Sequence, residues 1–209
     1  MPTTETVQNS DWKQGFLFVG NHIALDFLNT RPVQDGAPLE LLPDFGSLLR
    51  WFQAAELLTS REASRLQQKW GESARARALV EALREFREKL RKEVRDWEKD
   101  GSLHSSTLHQ LNRLMAEHPM RTRLNVSGKN FETHLYMAPE RPEDLVAPLA
   151  DAAARLFADV DHARVRQCDQ CVLHFHDTSK KGTRRWCSMQ LCGNRQKVAA
   201  YAARQRRLA

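Results

Sequence analysis

The chain has 209 residues, 41% of them apolar, which suffices to bury a sizeable core and excludes a disordered chain. Its formal charge of +6 is unevenly spread. The 46 residues from Arg164 to the end hold eleven Lys or Arg and two Asp, a net +9, whereas residues 1–163 carry −3. All four cysteines lie in this basic stretch. We call residues 164–209 the cysteine module and residues 15–163 the N-terminal domain.

Two sequence patterns predict the compartment of the protein and whether it crosses a membrane. No apolar run approaches the roughly 18 residues that cross a bilayer, and residues 1–6 lack the basic and apolar stretches of a secretory signal. We therefore expect a cytoplasmic protein that does not enter membranes. The cytoplasm is reducing, which disfavours structural disulfides between the cysteines.

The first elements are short. Residues 1–14 are polar and predict a loose tail, and Phe16–Val19 predicts a short buried strand. Apolar residues at 23, 24, 27 and 28 then have helical spacing, but this run is short enough to be either helix or strand. Pro32, Gly36 and Pro38 predict a loop.

Helices dominate the middle of the chain. Asp44 is placed to cap a helix, and Thr59-x-x-Glu62 is a capping box for a second helix that continues to about Trp70. The clearest period belongs to one long amphipathic helix that stops at Gly101, with apolar residues Leu79, Leu83, Phe86, Leu90, Val94 and Trp97.

A hairpin and two further helices complete the N-terminal domain. A short helix carries Leu108, Leu111, Leu114 and Met115. Side chains of different polarity then alternate along residues 121–126 and along residues 131–136, on either side of a Ser-Gly-Lys-Asn turn. This pattern predicts a β-hairpin. A last helix begins at about Glu143. The predicted fold class is α+β, with a helix-dominated N-terminal domain, a short β-hairpin and a small four-cysteine module that ends in a helix.

The cysteine spacing is that of a metal site. Cys168-x2-Cys171 and Cys187-x4-Cys192 are two close pairs separated by fifteen residues, which suits one tetrahedral zinc ion with four thiolate ligands. A closed set of four thiolates indicates structural rather than catalytic zinc. The module has few large apolar residues, so zinc would contribute to its folding.

Other interpretations of the cysteines remain open. They could hold an iron–sulfur cluster, act as a redox dithiol switch or form disulfides. His174 and His176 lie between the pairs and could replace one thiolate, although we favour exposed loop or strand positions for both. Four thiolates and Zn²⁺ would lower the module's charge to about +7.

The remaining positive charge favours a phosphate partner, because Arg and Lys match phosphate oxygens. Asn194 lies where a helix could start, and such a cap would add backbone N–H groups to an anion site. Alternatively the cations neutralise the metal centre, aid solubility, or meet acidic proteins or lipid headgroups. The candidate contacts to double-stranded DNA are Lys180, Lys181, Arg184, Arg185, Arg195, Lys197 and Arg204.

Three motifs in the cysteine module carry a family resemblance. Cys168-x-x-Cys171-x-x-x-Phe175-x-Asp177, Arg184-Arg-Trp-Cys-Ser and Cys192-Gly-Asn-Arg195 resemble the CGNR zinc finger. Gly20-x-x-x-x-Leu-Asp-Phe-Leu-Asn-Thr30 is similar to the opening motif of the ABATE domain, which precedes this finger in bacterial proteins described as stress-induced transcription regulators.

The resemblance implies a zinc-dependent DNA-binding module attached to a regulatory or ligand-sensing domain. It implies that Cys168, Cys171, Cys187 and Cys192 hold one zinc ion and that Arg195 contacts phosphate or a base. It further assigns turn freedom to Gly193, the helix cap to Asn194 and a loop-ordering role to Asp177. We expect Phe175 and Trp186 to be structural.

A polar triplet in the N-terminal domain is the other candidate site. Asp26, Asn29 and Thr30 lie in an apolar stretch, where they could line a pocket for a small-molecule effector or satisfy backbone groups, the role we favour. No catalytic constellation stands out, so we do not expect an enzyme. The sequence predicts a zinc-dependent, stress- or ligand-responsive DNA-binding regulator; the alternative is a zinc-stapled protein-interaction or redox-responsive module. It does not fix the oligomeric state, and a dimer is compatible with it.

Overall fold

The computed structural model describes residues 11–194 and Val198. Six helices form most of the N-terminal domain: α1 (Ile23–Leu28), α2 (Phe45–Ala54), α3 (Ser60–Trp70), α4 (Ala74–Asp100), α5 (Ser105–Glu117) and α6 (Ala147–Asp159). Short 3-10 turns lie at Pro142–Val146 and His162–Arg164. The predicted helix-dominated α+β class is confirmed.

The predicted helix ends are confirmed by their caps. Asp44 Oδ1 accepts a hydrogen bond from the Ser47 amide at 2.7 Å, and Thr59 and Glu62 form the reciprocal capping box of α3. Helix α4 ends at Gly101, whose φ of +75° is in the left-handed region that glycine adopts most easily. The ambiguous run at residues 23–28 is helix α1, capped by His22.

The described strands form four separate antiparallel pairs. They are β1 (Trp12–Lys13) with β2 (Phe16–Leu17), β3 (Val33–Gln34) with β4 (Ala37–Pro38), β5 (Arg121–Ser127) with β6 (Asn130–Tyr136), and β7 (Val165–Gln167) with β8 (His174–His176). The predicted tail, residues 1–14, is described only from residue 11, where β1 pairs with β2.

The predicted hairpin at 121–136 is confirmed, with Ser127 opposite Asn130 at its turn. In its register, Leu124, Val126, Phe131 and Leu135 fall on one face, because directly opposed residues share a face. These four side chains are all exposed. The hairpin thus extends from the domain with an apolar face turned to solvent.

Helix α4 crosses the core of the N-terminal domain. Its predicted apolar residues are buried with α1, α2 and α6. Arg87 is buried among them, and its guanidinium donates to Thr30 Oγ1 at 2.8 Å and pairs with the Glu40 carboxylate. This burial is visible in the helical periodicity, since Arg87 lies four residues after Leu83 on the apolar face of α4.

The last helix differs from its prediction at its start. The chain from Pro142 to Val146 is a 3-10 turn, and α6 begins only at Ala147. In the part of the chain that the structure describes, no helix combines the length and apolarity needed to cross a bilayer.

Candidate metal centre

The four cysteines converge at one point of the cysteine module. Their sulfur atoms all lie within 4.8 Å of one another. The Sγ–Sγ distance is 3.7 Å both from Cys171 to Cys187 and from Cys187 to Cys192. Zinc–sulfur bonds of about 2.3 Å place two ligands of a tetrahedron about 3.8 Å apart, which these pairs match. The cysteines are unbonded to one another, so the arrangement is that of a metal site rather than of disulfides.

The first cysteine pair lies in the turn between β7 and β8. The Cys168 amide donates to the Leu173 carbonyl at 2.9 Å and closes this turn. The antiparallel pairing of Val165 with His176 continues the hairpin away from the metal centre. Both thiols of this pair belong to the group of four converging sulfur atoms.

The second pair is held by a short π-helical turn, Met189–Gly193, that begins after Ser188. Ser188 Oγ accepts from the Gln190 amide at 3.0 Å, and its carbonyl accepts from the Cys192 amide at 3.1 Å. The cap is therefore Ser188 and not the predicted Asn194, which is itself helical with φ −66° and ψ −38°. The C-terminal helix that Asn194 was predicted to start lies outside the described residues, apart from Val198.

Gly193 also differs from its expected role. Its φ is not in the left-handed region, so turn freedom does not explain the glycine. A Cβ at this position would lie 2.6 Å from Met189 Sδ. The constraint is therefore contact with the end of a flexible side chain, which is able to move.

The four thiols influence one another's ionisation. Hydrogen bonds from Cys171 and Cys187 hold the pKa of Cys168 far below its usual range. The Cys168 thiolate in turn raises the pKa of Cys171 to about 12 and raises that of Cys187, while burial raises that of Cys192. Four adjacent thiols do not all ionise without a counter-charge. A divalent cation supplies that charge, so the donor set fits Zn²⁺ with four thiolates.

Arg184 and Asp177 order the loop between the two pairs. The Arg184 guanidinium donates from Nε to the Trp186 carbonyl at 2.8 Å and from Nη2 to the Cys187 carbonyl, and it lies 4.5 Å from the centre of the Phe175 ring. Asp177 accepts from the Arg184 amide at 2.8 Å and from the Ser179 amide at 2.9 Å. These contacts fix the approach of the chain to Cys187.

The other predicted cations are placed differently. Arg185 is exposed, and its Nε donates to Asp169 at 2.7 Å. Lys180 and Lys181 are exposed and form no ion pair with any described residue. Arg195, Lys197 and Arg204 lie outside the described residues.

The apolar cluster of the cysteine module includes residues from the start of the chain. Leu17 and Val19 are buried together with Leu173, Phe175 and the cysteines, and Trp186 packs against this cluster partly buried. The module therefore does not fold around its own residues alone. Packing crosses the expected boundary between residues 163 and 164.

Asn29 joins the two parts of the chain by a reciprocal pair of hydrogen bonds. Its Nδ2 donates to the His174 carbonyl and its Oδ1 accepts from the His174 amide, both at 2.9 Å and both buried. Nearby, the His176 amide donates to the Gly20 carbonyl at 2.8 Å and Asn21 Nδ2 donates to the His176 carbonyl at 2.9 Å. The segment from Gly20 to Asn29 thus holds strand β8 through hydrogen bonds to its backbone. The sequence signalled the polar residue but not its partner, which is 145 positions away.

Asp26 and Thr30, the other two members of the triplet, are also buried and hydrogen-bonded inside the protein. Asp26 Oδ1 accepts from the Gly20 amide at 2.7 Å, and a Cβ on Gly20 would lie 2.8 Å from the same oxygen. Thr30 Oγ1 donates to the Phe27 carbonyl at 2.7 Å. The effector pocket at this triplet stays a prediction.

His174 is buried, in contrast to the exposed position we expected for it. It lies in β8 with its Nε2 3.6 Å from Glu98 Oε2, and burial lowers its pKa to about 4. His176, two residues on, is partly buried in the same strand. Neither histidine belongs to the four-cysteine group.

Asp26 makes stability depend on pH. Burial raises the pKa of its carboxyl to about 7, against backbone hydrogen bonds from Gly20 and Val19 that lower it. In the unfolded chain an aspartate titrates at about 4, so the folded state holds the proton to higher pH and its stabilising effect is lost as pH rises to 7. We expect Asp26→Asn to gain stability relative to the wild type by roughly 2 kcal/mol between pH 5.5 and pH 8.5.

Urea unfolding of the zinc-loaded proteins at both pH values measures this difference. Comparison with the wild type cancels the other titrating groups. A stability difference between Asp26→Asn and wild type that is the same at both pH values would contradict the assignment.

The fold and the site define a class of protein: a helix-rich domain joined to a small four-cysteine zinc finger. The family comparisons agree with this class. Residues 21–160 match the ABATE family, described as "Putative stress-induced transcription regulator", and residues 164–205 match the CGNR zinc finger. The chain belongs to the ABATE family and carries a CGNR zinc finger. No curated protein gives a significant match.

Proposed function

We propose that this chain is a zinc-dependent, DNA-binding transcription regulator that responds to stress or to a ligand. The observation that carries the proposal is a closed four-thiolate site within a strongly basic module, on a chain of the ABATE family. The family descriptions name a regulator and a zinc finger, and neither names an enzymatic activity. The cysteine module contacts double-stranded DNA, and the N-terminal domain carries the regulatory function.

The proposed DNA surface lies on the loop between the cysteine pairs. Lys180 and Lys181 are exposed and without ion pairs among the described residues, so binding phosphate would cost them no existing ion pair. Arg185, in the same loop, is also exposed but forms an ion pair with Asp169. Arg184 bonds two carbonyls and a ring within the module, which favours a structural role for it. Among the described residues, Lys180, Lys181 and Arg185 therefore carry the proposal.

The contacts between the cysteine module and the N-terminal domain support a regulatory role for that domain. Because Asn29 and Gly20 hold strand β8 and Leu17 and Val19 complete the module's apolar cluster, the module is a fixed part of the protein and not a tethered one. A change in the N-terminal domain would reach the metal-bearing hairpin through α1.

Duplex DNA binding tests the proposal through its salt dependence. If four to six phosphates are neutralised, the slope of log K against log salt is on the order of −3.6 to −5.4. We expect the double variant Lys180→Gln, Lys181→Gln to lose up to about 1.8 of this slope, since each phosphate contact contributes about 0.9. Fluorescence anisotropy with a labelled duplex at several salt concentrations measures both slopes.

Lys92→Gln, Lys129→Gln is the matched control, because both lysines are exposed and lie in the N-terminal domain. It removes the same charge and is expected to retain nearly the whole slope. A slope near zero in the wild type would refute DNA binding. Release of zinc by mild peroxide with recovery on reduction, together with a flat salt response, would favour the redox-responsive alternative.

A further inference from the structure

A cavity of about 390 Å³ lies between α4, α5 and the 3-10 turn at Pro142–Val146. Its walls are mainly apolar and include Leu79, Leu83, Phe86, Leu114 and Val146. On α4 it is also lined by Ala78 and Ala82, whose short side chains leave the groove open. This size and this lining are typical of sites for small molecules.

Five polar residues also line the cavity: Glu85, Lys89, Gln110, His118 and Glu143. Of these, His118 is the one whose ring is fixed by a carboxylate. His118 is 9% exposed, and its Nδ1 lies 2.9 Å from Asp144 Oδ1. Asp144 also accepts from the backbone amides of Glu140 and Arg141 at 2.9 and 3.1 Å. Although burial opposes it, hydrogen bonds from His118, Glu140 and Arg141 lower the pKa of Asp144 to about 2.

The contact with Asp144 sets which ring nitrogen of His118 carries the hydrogen. An ionised carboxylate only accepts hydrogen bonds, so Nδ1 of His118 carries a hydrogen. Its Nε2 is then the reactive side of the ring, and it has no hydrogen-bond partner among the described residues. Nε2 is not among the described buried polar atoms that lack a partner, so it is accessible and can form a hydrogen bond with a polar atom of a ligand.

We propose that this cavity binds a small apolar molecule that carries one weakly acidic oxygen, a carboxyl or a phenol, placed against Nε2 of His118. Such a group suits the imidazole in either protonation state. A neutral ring accepts the ligand's O–H, and a protonated ring donates to its oxyanion. The alkyl or aryl body occupies the groove beside Ala78 and Ala82. The proposal rests on the ligand response in the proposed function and deepens it by naming the class of ligand, while the cavity shares no residue with the proposed DNA surface.

Calorimetry of the zinc-loaded full chain, without DNA, tests the proposal with octanoate and 4-butylphenol as probes. We expect saturable binding of at least one probe at one site per chain. Methyl octanoate and octylamine are expected to bind at least tenfold more weakly than octanoate, because neither presents an acidic oxygen. In His118→Ala, octanoate and its methyl ester are expected to bind equally.

A filled groove provides a test that leaves the Asp144–His118 pair intact. Ala82→Leu is expected to reduce binding of either probe at least tenfold. Ala116→Leu is the matched control, since Ala116 is exposed on α5 and does not line the cavity; it should bind like the wild type. Circular dichroism confirms that both variants are folded.

Three results would overturn the proposal. They are no saturable binding of either probe, unchanged binding in Ala82→Leu, and equal binding of octanoate and its ester in the wild type. A dimer seen by light scattering that Ala82→Leu dissociates, without probe binding, would instead assign the groove to a second copy. Because DNA is absent from the assay, failure of DNA binding does not affect any of these outcomes.

Discussion

Replacing Cys187 with serine is expected to abolish tight zinc binding and to unfold the cysteine module. Cys187 is fully buried, and its sulfur lies 3.7 Å from those of both Cys171 and Cys192. Structural zinc sites contribute about 10–16 kcal/mol of apparent binding free energy, far more than a module with so small an apolar cluster gains from packing. Bound zinc should fall from one ion per chain to almost none.

Zinc content by atomic emission and near-UV circular dichroism, to which Trp186 contributes as one of five tryptophans, measure this loss. Met189→Ser is the matched control, because Met189 lies in the same turn, is exposed and offers no thiolate. It should keep its zinc and its spectrum. Removal of zinc from the wild type by a chelator should reproduce the Cys187→Ser spectrum, and added zinc should reverse it. A Cys187→Ser protein that retains one zinc ion with an unchanged spectrum would refute the site.

Replacing Asn29 with alanine is expected to destabilise the protein by roughly 2–5 kcal/mol. The change removes both partners of the His174 backbone in a buried environment, and each buried polar group left unsatisfied costs about 1–3 kcal/mol. Asn21→Gly is the matched control, since it removes a single hydrogen bond at an exposed side chain, to the His176 carbonyl, and glycine keeps the left-handed φ of +55° without strain. Its expected cost is about 1 kcal/mol or less.

Urea unfolding of the zinc-loaded proteins gives the two free energies. Amide hydrogen exchange at His174 provides a second readout, because this amide is expected to lose protection in Asn29→Ala while amides within α4 keep theirs. Equal stabilities for Asn29→Ala and Asn21→Gly, with His174 still protected, would show that the reciprocal pair does not hold the module.

Local signals in the sequence were sufficient for most helix ends and for the metal site. Asp44, Thr59 with Glu62, and Gly101 each act through backbone groups within a few residues, so their positions fix the helix termini directly. The cysteine spacing likewise reports a local property, two tight turns that each carry two thiols. Such features depend little on the rest of the fold.

The features that sequence reasoning missed are long-range. The partners of Asn29 and Leu17 lie about 145 or more residues away, and no local pattern encodes that distance. Ser188 was missed as the cap because the expected helix was placed after the last cysteine. His174 and Phe175 are neighbours in a three-residue strand, and both are buried. A strand this short shows no pattern from which burial of the histidine against the N-terminal domain could be predicted.

If zinc creates the proposed DNA-binding surface, the affinity of the chain for duplex DNA depends on bound zinc. Anisotropy titrations compare the zinc-loaded chain, the chelator-treated chain and the chain reloaded with zinc at one salt concentration. We expect tight binding with zinc, at least a tenfold loss of affinity on its removal and full recovery on reloading. Equal affinity with and without zinc, or no duplex binding by the zinc-loaded chain, would contradict the claim.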